Sequence, residues 1–535
     1  MGPAQAVALS ATARVTRSRL FGAAALVAGL TLLSRIAGFA RILVFNSSVG
    51  PTRLGDAYQA ANTIPNIIFE LVAGGALASL VVPLLAGKDK DTVGRTVGAL
   101  LTWVVLLLTP IALLVALFAH PLVGLLTSGQ PAGVVDAGAR MLRVFAPQLP
   151  LYGIGIVLTG TLQTYRRFAW PVIAPLLSSL TVMAVYIAFG IVAGRGAALD
   201  SVSGRELMLL SGGTTAAVAV LSLCLIAPVR RLGLRVRPAT RLDVGAMATL
   251  KPLVVAGIVT VGTQQLVLGL AINLVSYSPD DGAIVVYNLA QTIFLLPWAV
   301  LAVPVATTAY PALAEHGAAK DRAGFAAALA PSVRAVVLLC CLGAAALVVL
   351  ARPIAVLLAA ASSHPPAVGP LAAGIAWFAP GLLGYGLFAL LSRALYAGGN
   401  AYAAAVAVAT GWAAAAVAAL SLANALPIGD RVAAVAAANS IGMLVLGGAL
   451  LVAVGRRAGG EALRGTVRTT AVCVTSALVA AAAGLALRAH LATPGVGGAV
   501  AQGMLCGVVV AVVFLAGAAV ADRGTLQRLV GRRDG

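Results

Sequence analysis

Long apolar stretches, separated by short polar segments, dominate the chain. Fourteen of them reach about 20 residues, the length that an α-helix needs to cross ~30 Å of hydrocarbon. They cover residues 21–48, 57–86, 96–119, 143–163, 168–194, 207–228, 252–276, 283–313, 327–350, 367–396, 402–424, 432–455, 467–488 and 496–520. The pattern therefore predicts an all-α polytopic membrane protein with about 14 transmembrane helices.

Composition narrows the class of protein. Hydrophobic residues make up 61% of the 535 residues, charged residues only 10%, and the mean hydropathy is +1.02, which excludes a soluble enzyme or secreted module. Abundant glycine with few aromatic residues favours closely packed helices over a β-barrel with aromatic girdles. The five cysteines and four histidines are scattered without metal-ligand or disulfide spacing. We expect no metal, no cofactor and no catalytic group.

Basic residues are distributed unequally between the two sides of the predicted spans. Of the 36 lysines and arginines, 26 fall on the side of the termini and 8 on the opposite side, and the remaining two are Arg35 and Arg41. By the positive-inside rule, both termini are predicted to be cytoplasmic. This bias accounts for the net charge of +20 without a nucleic-acid partner. The arginine-rich segment before the seventh span is also suited to contact anionic membrane lipids.

Two short motifs occur twice. FAPQLPLYG from Phe145 returns as FAPGLLGYG from Phe378, and VVPLLAG from Val81 returns as AYPALAEHG from Ala309. Two such pairs at nearly the same offset indicate a duplicated unit of six spans, whose copies are parallel. The predicted domains are a cytoplasmic tail 1–20, an N-lobe 21–228, a basic cytoplasmic loop 229–251, a C-lobe 252–455, two further spans in 456–520 and a cytoplasmic tail 521–535. Two lobes of this kind commonly rock about a central cavity, so a transporter is the leading class.

Only three fixed charges lie well inside the spans: Arg35, Arg41 and Glu70. Each costs about 2.5–3.5 kcal/mol on insertion scales, so each is a functional candidate. One interpretation is a structural ion pair or snorkelling arginines; the other is a water-filled cavity. The two arginines diverge by about 120° on a regular helix, and a bend at Gly38 would let both face inward. An arginine fork matches phosphate oxygens, which suits an amphiphile with a phosphate or pyrophosphate head.

The N-terminal ninety residues resemble a known family. SRIAGFAR from Ser34, GDAY from Gly55 and PNIIFELVAGGALASLVVPLLAG from Pro65 are similar to the signature of the MurJ (MviN) family, lipid II flippases of the MOP transporter superfamily. The resemblance implies a multi-pass protein of the bacterial cytoplasmic membrane. Such a protein moves the undecaprenyl-pyrophosphate-linked peptidoglycan precursor from the inner to the outer leaflet by alternating access, for cell wall biogenesis. The last two helices would form a groove for the prenyl tail.

The resemblance also implies roles for individual residues. Arg35 and Arg41 would hold the pyrophosphate, while Glu70, Asp56 and Asn66 would belong to the cavity or the coupling machinery. Candidate hinges, some from the resemblance and some from helix-breaking residue types, are Gly38, Pro65, Pro297 and Pro304. Pro147 and Pro380, in the repeated motif, are predicted to kink their helices.

This sequence departs from the family pattern at several positions. Ile42 stands where an acidic residue is frequent, Phe69 where an arginine is usual, and Gln291 and Thr292 near a usual Asp-Arg pair. Glu70 lies one helical turn before Gly74, where the family has a glutamate. These differences leave two alternatives open: a flippase for another polyprenyl-linked glycan or other MOP-type exporter, and a membrane scaffold without transport.

The driving force is predicted from the remaining acids. Spans seven to fourteen contain no carboxylate, so a sodium site on a C-lobe acid is not expected. Coupling to membrane potential, or to an ion gradient through Glu70, is the better prediction. Besides the lipid substrate and membrane lipids, the cell-wall synthesis machinery is a candidate partner.

Overall fold

The computed structural model describes residues 29–73, 78–240, 244–491 and 495–521, and all regular secondary structure there is helical. The predicted tails 1–20 and, beyond residue 521, 522–535 lie outside the described residues. In chain order the α-helices are α1 Gly29–Ser48, α2 Arg53–Glu70, α3 Ala78–Leu85, α4 Lys90–Leu117, α5 Ala119–Leu126, α6 Ala132–Phe145, α7 Gln148–Thr164, α8 Ala169–Val192, α9 Gly204–Leu223, α10 Ile226–Arg230, α11 Val244–Val275, α12 Ala283–Pro297, α13 Val303–Ala318, α14 Arg322–Ala360, α15 Val368–Phe378, α16 Gly381–Ala397, α17 Ala401–Ala425, α18 Arg431–Ala458, α19 Thr466–His490 and α20 Gly495–Ala521.

Eleven helical segments of the described chain are long and apolar enough to cross a membrane, and two bent pairs raise the number to 13. The predicted span 57–86 falls on α2, a π-helical turn at 71–73 and α3, with residues 74–77 outside the described part. The prediction of an all-helical, multi-pass protein is therefore confirmed, and the number of 14 spans stays a prediction. Leucine and valine side chains on the outer surfaces of these helices are exposed, as in Leu117 and Val467, which suits contact with lipid.

The repeated FAP motif breaks two helices at corresponding positions. α6 and α7 meet at Ala146–Pro147 with a bend of 41°, and α15 and α16 meet at Ala379–Pro380 with a bend of 44°. Proline lacks the amide hydrogen that would continue the helical ladder and its ring crowds the preceding turn, so a bend forms there. The kinks predicted at Pro147 and Pro380 are confirmed.

The other candidate hinges have different local structures. Between Pro297 and Pro304 the chain forms a π-helical segment, Trp298–Ala302, which joins α12 to α13 within one long span. Pro65 lies buried inside α2, which continues past it for five residues. α1 is α-helical without interruption through Gly38. Whether these positions act as hinges during transport stays a prediction.

Helix packing follows the two halves of the chain. In the first half α2 packs on α6, α4 on α7, and α9 on α6, α7 and α8; in the second, α16 and α17 pack on α18, and α12 on α15. Small residues allow the closest approaches, for example Gly384 of α16 against the backbone of Met443. α19 and α20 pack on each other and on α14. α11 packs mainly on α17 but also touches α2, α3 and α5, so it borders both halves. The lobe boundaries at 228 and 252 stay predictions.

Candidate functional site

A polar cavity of about 480 Å³ lies between the two halves. Helices α1, α2, α7, α8 and α9 form its wall on one side, and α11 and α12 form the other. Its lining residues are Arg41, Ile42, Phe45, Asn46, Tyr58, Gln59, Asn62, Thr63, Asn66, Phe69, Glu70, Tyr152, Ser178, Val182, Tyr186, Thr214, Val218, Leu221, Leu268, Val285, Asn288, Leu289, Gln291 and Thr292. Among these residues Arg41 is the one permanent cation and Glu70 the one carboxylic acid.

α2 supplies most of the polar lining through a stripe along one helical face. Gln59, Asn62, Asn66 and Glu70 follow one another at spacings of three or four residues, which places them one above another on the helix. Asn66 and Glu70 were predicted from the sequence, whereas Gln59 and Asn62 were not. The signal was present, because polar residues with this period inside an apolar span indicate a face turned away from lipid.

The two arginines of α1 have different surroundings. Arg41 lines the cavity, whereas Arg35 is exposed on the face of α1 that also exposes Leu32 and Ile36, and it is not among the lining residues. Six residues along an uninterrupted α-helix separate two side chains by about 120°, so both cannot point the same way. The helix is not interrupted at Gly38, and whether a bend there lets both arginines face inward stays a prediction.

The structure brings Arg41 and Glu70 to the same cavity without pairing them. Within the part of the chain that the structure describes, no ion pair of 4 Å or less joins them. A buried ion pair would have neutralised both groups. The guanidinium of Arg41 therefore remains available to an anionic ligand in the cavity.

Aromatic and uncharged groups occupy the positions where the family resemblance implied further charges. The ring of Phe69 packs against that of Tyr152 in a tilted arrangement, with centroids 4.4 Å apart, and the Tyr152 hydroxyl donates to Asn66 Oδ1 at 3.3 Å. Gln291 and Thr292 line the opposite wall. The cavity thus keeps hydrogen-bonding capacity through amides and hydroxyls, while its positive charge is concentrated on Arg41.

A buried hydroxyl cluster fixes the end of the cavity wall. The Tyr58 hydroxyl lies 2.8 Å from the Tyr186 hydroxyl and 2.9 Å from Thr214 Oγ1, joining α2, α8 and α9. Phe45 packs on the rings of both tyrosines. The sequence marks Tyr58 only as part of the GDAY motif, because its partners are more than 100 residues away in the chain.

Asp56 is not among the residues that line the cavity, and a role for it in coupling stays a prediction. Its side chain is fully buried, and its carboxylate accepts hydrogen bonds from the backbone N–H groups of Gly282, Ile284 and Val285 at 3.1, 3.0 and 3.2 Å. These groups lie at the start of α12, whose N-cap residue, Gly282, has no side chain to cap the helix. Asp56 therefore caps a helix of the other half of the chain.

Further polar contacts surround Asp56 and join the two halves at this end of the bundle. We call this set the polar seal: Asp56 with Gly282, Ile284 and Val285; Arg53 with Asp281 at 2.8 Å; Gln130 with the Ser276 carbonyl at 3.0 Å; Asn273 with the Leu125 carbonyl at 2.6 Å; and Asn46 with the Leu358 carbonyl at 3.0 Å. Gly282, with φ of +79°, lies directly against the backbone of Pro51, where a side chain would not fit. The seal holds the halves together at the end opposite the basic loop.

A multi-pass helical bundle with a polar cavity between two packed halves, held together at one end, has the architecture of a membrane transporter. Solved structures share this fold. A lipid II flippase MurJ in an inward closed conformation superimposes with a TM-score of 0.75 at 18% identity, covering 94% of this chain and 99% of that one. An inward-facing multidrug resistance MATE family transporter of the MOP superfamily superimposes with a TM-score of 0.63 at 14% identity, covering 80% and 94%.

Sequence comparison identifies the family. The model of the lipid II flippase MurJ family matches residues 45–505, and this chain therefore belongs to that family. A lipid II flippase MurJ of Burkholderia cenocepacia is 27% identical over 329 residues, 60% of this chain and 62% of the relative. A probable lipid II flippase MurJ of Synechocystis is 28% identical over 297 residues, 52% and 53% of the two chains. The matched region thus spans between half and two thirds of these relatives.

Proposed function

We propose that this protein moves lipid II, a polyprenyl-pyrophosphate-linked peptidoglycan precursor, across the bacterial cytoplasmic membrane by alternating access. The observation that carries the proposal is the position of Arg41, the one permanent cation among the residues lining a cavity between two halves. A guanidinium donates two parallel hydrogen bonds to phosphate oxygens and keeps its charge in a partly apolar site. Family membership supports the same substrate class.

The shape and lining of the cavity fit the polar part of such an amphiphile. Its volume of about 480 Å³ falls within the ~300–1,000 Å³ of typical ligand sites. The amide side chains of α2 and α12 offer both donors and acceptors, which suit hydroxyl and amide groups of a glycan or peptide. The hydrocarbon tail stays outside this polar space, against the apolar surface of the bundle.

The orientation follows from the charge bias of the loops. With both termini in the cytoplasm, the polar seal faces the outside, and the described conformation is closed on that face. Substrate then enters the cavity from the cytoplasmic side. Release to the outer leaflet requires the polar seal to open, so the seal and the cavity form the two parts of one alternating-access cycle.

The function is tested by complementation of cells depleted of their own lipid II flippase. We expect the full chain to restore growth and to restore cleavage of lipid II by an enzyme added outside the cells. Wild-type membrane levels of the protein without either restoration would contradict the proposal. If lipid II export is not restored but a different polyprenyl-linked glycan is exported, the alternative flippase is favoured. If neither lipid is exported, the membrane scaffold is favoured.

Coupling is proposed to depend on Glu70, because no other carboxylic acid is among the residues that line the cavity. Replacing Glu70 with glutamine removes the titratable group and keeps the side chain's size. We expect translocation to fall about tenfold, equivalent to ~1.4 kcal/mol, and its dependence on membrane potential or external pH to weaken. The rate of lipid II export at several imposed potentials and pH values measures this.

The matched control for this prediction is Glu461→Gln, the same chemical change at an exposed residue of the short 3-10 helix Gly460–Leu463, whose ion-pair partner among the described residues is Arg464 at 3.4 Å. We expect it to export lipid II at the wild-type rate. Glu70→Asp keeps the acid and is expected to retain part of the activity. If Glu70→Gln exports lipid II as fast as Glu461→Gln at every potential and pH, Glu70 has no part in the mechanism. The membrane potential would then act on Arg41 or on the substrate.

A further inference from the structure

A second large cavity lies between α14, α15 and α19. Its volume is about 750 Å³, and it opens near the C-terminal ends of α14 and α19 and the N-terminal end of α15. This is the end of the bundle that carries the polar seal, since Leu358 near the end of α14 accepts a hydrogen bond from Asn46 of that seal. The cavity shares no lining residue with the central cavity, and of the last two helices, to which the resemblance assigned a groove for the prenyl tail, only α19 contributes to its lining.

Two arginines, Arg352 of α14 and Arg488 of α19, line this cavity. Arg488 donates one hydrogen bond to the Val349 carbonyl at 3.1 Å, and neither arginine takes part in an ion pair of 4 Å or less among the described residues. A guanidinium has five N–H donors, so most of them remain free. Basic residues are scarce on this side of the membrane by the positive-inside bias, yet two of them converge on one cavity. The positive charge of the two arginines favours binding of an anion in this cavity.

The rest of the lining is apolar. Val348, Ala372, Ala376 and Leu485 form the walls, and Trp377, 54% exposed, lines the same cavity. Tryptophan is enriched at the level of lipid headgroups because its ring is apolar and its N–H is polar. A ligand with a phosphate at one end and a hydrocarbon chain at the other would accept hydrogen bonds from the guanidinium groups and pack against the apolar walls.

Spacing along the helices places the two arginines at a membrane surface. Arg334 of α14 and Arg468 of α19 line a smaller cavity, of about 150 Å³, at the other end of the same helix pair. Arg334 and Arg352 are 18 residues apart, and Arg468 and Arg488 are 20 apart. At 1.5 Å per residue these separations are about 27 and 30 Å, close to the thickness of the hydrocarbon core. Arg352 and Arg488 therefore lie where lipid phosphates of one leaflet lie.

We propose that the cavity between α14, α15 and α19 is a binding site for a lipid-borne phosphate, held by Arg352 and Arg488, with the lipid chain against the apolar wall. An anionic phospholipid and a polyprenyl pyrophosphate share this chemistry. The site does not require that the protein transports anything, so it stands apart from the proposed function. Under the proposed orientation it faces the outer leaflet.

The test is lipid binding to the purified full-length chain, measured by native mass spectrometry. The probes are phosphatidylglycerol, undecaprenyl pyrophosphate and, as a soluble anion, inorganic pyrophosphate. The variants are Arg352→Ala, whose side chain is exposed and makes no hydrogen bond with the residues that the structure describes, and Arg488→Ala. Arg195→Ala/Arg205→Ala is the matched control, since it removes two exposed arginines from the same end of the bundle but outside the cavity. Undecaprenyl pyrophosphate is titrated in an Arg41→Ala background, which removes the central site.

We expect each cavity variant to weaken binding of at least one lipid about tenfold, while the control binds as the wild type does. Loss confined to phosphatidylglycerol identifies a phospholipid site, and loss confined to undecaprenyl pyrophosphate identifies a site for the carrier lipid. Equal lipid binding by all variants, no lipid binding by the wild type, or an effect on inorganic pyrophosphate alone overturns the proposal. We expect Arg352→Ala to have the same thermal stability as the control, so weaker lipid binding by this variant would not result from misfolding. Failure of complementation would not affect any of these results.

Discussion

Replacing Asp56 with alanine is expected to open the polar seal. The carboxylate is fully buried and accepts three backbone N–H groups at the start of α12. Its removal leaves buried donors without acceptors, and hydrogen bonds to a charged group contribute about 1.5–3 kcal/mol. A net cost of about 2–3 kcal/mol lowers the ratio of closed to open molecules roughly 30- to 150-fold. In the proposed alternating-access cycle the seal re-forms in every turnover, so lipid export is expected to fall sharply as well.

The opening is measured as a distance between spin labels on the two halves at the sealed end, for example at the exposed positions Arg195 and Asp280. We expect the distance distribution of Asp56→Ala to gain a longer component that the wild type lacks. Asp56→Asn keeps one acceptor oxygen and brings an N–H group toward the donors, so it is expected to behave nearly as alanine does.

Asp281→Ala is the matched control for the seal. It also removes an acid at this interface, but its partner Arg53 is half exposed, and such pairs contribute less than ~1 kcal/mol. We expect its distances to match those of the wild type. An unchanged distribution for Asp56→Ala, or an equal change for Asp281→Ala, would show that the cap on α12 does not hold the seal closed.

The helices were predictable because the information that specifies them is local. An apolar stretch of sufficient length must form a helix in hydrocarbon, where every backbone polar group needs an internal partner. The bends at Pro147 and Pro380 were equally predictable, because a missing amide hydrogen acts on its own turn. The polar stripe of α2 also follows from spacing alone, although only Asn66 and Glu70 were recognised.

The polar seal was not predictable, since it depends on contacts across the chain. Asp56 is 226 residues from Gly282, and the groups that it binds are backbone amides, which every residue except proline possesses. No pattern of side chains therefore indicates that partner. The different positions of Arg35 and Arg41 required the structure for a related reason: periodicity gives the angle between them, and only the packing of α1 decides which of the two faces the cavity.

Replacing Arg41 with alanine is expected to abolish lipid export by the proposed mechanism. The guanidinium is the one permanent cation among the cavity-lining residues, and loss of two charge-assisted hydrogen bonds of about 1.5–3 kcal/mol each weakens binding of a pyrophosphate headgroup at least ~100-fold. Arg41→Lys keeps the charge but loses the fork, so it is expected to recover only part of the affinity.

Lipid II binding and lipid II export, measured at equal membrane levels of each variant, check this prediction. The family resemblance assigned the pyrophosphate headgroup to both arginines, and Arg35→Ala tests that assignment. We expect its effect on lipid II binding and export to be much smaller than that of Arg41→Ala, because Arg35 is exposed on a face of α1 away from the cavity lining. Arg205→Ala, an exposed arginine on another helix, is expected to leave export unchanged. Equal losses for Arg35→Ala and Arg41→Ala would mean that α1 rotates or bends during transport, while full export by Arg41→Ala would place the pyrophosphate on the uncharged amides of α2 and α12 instead.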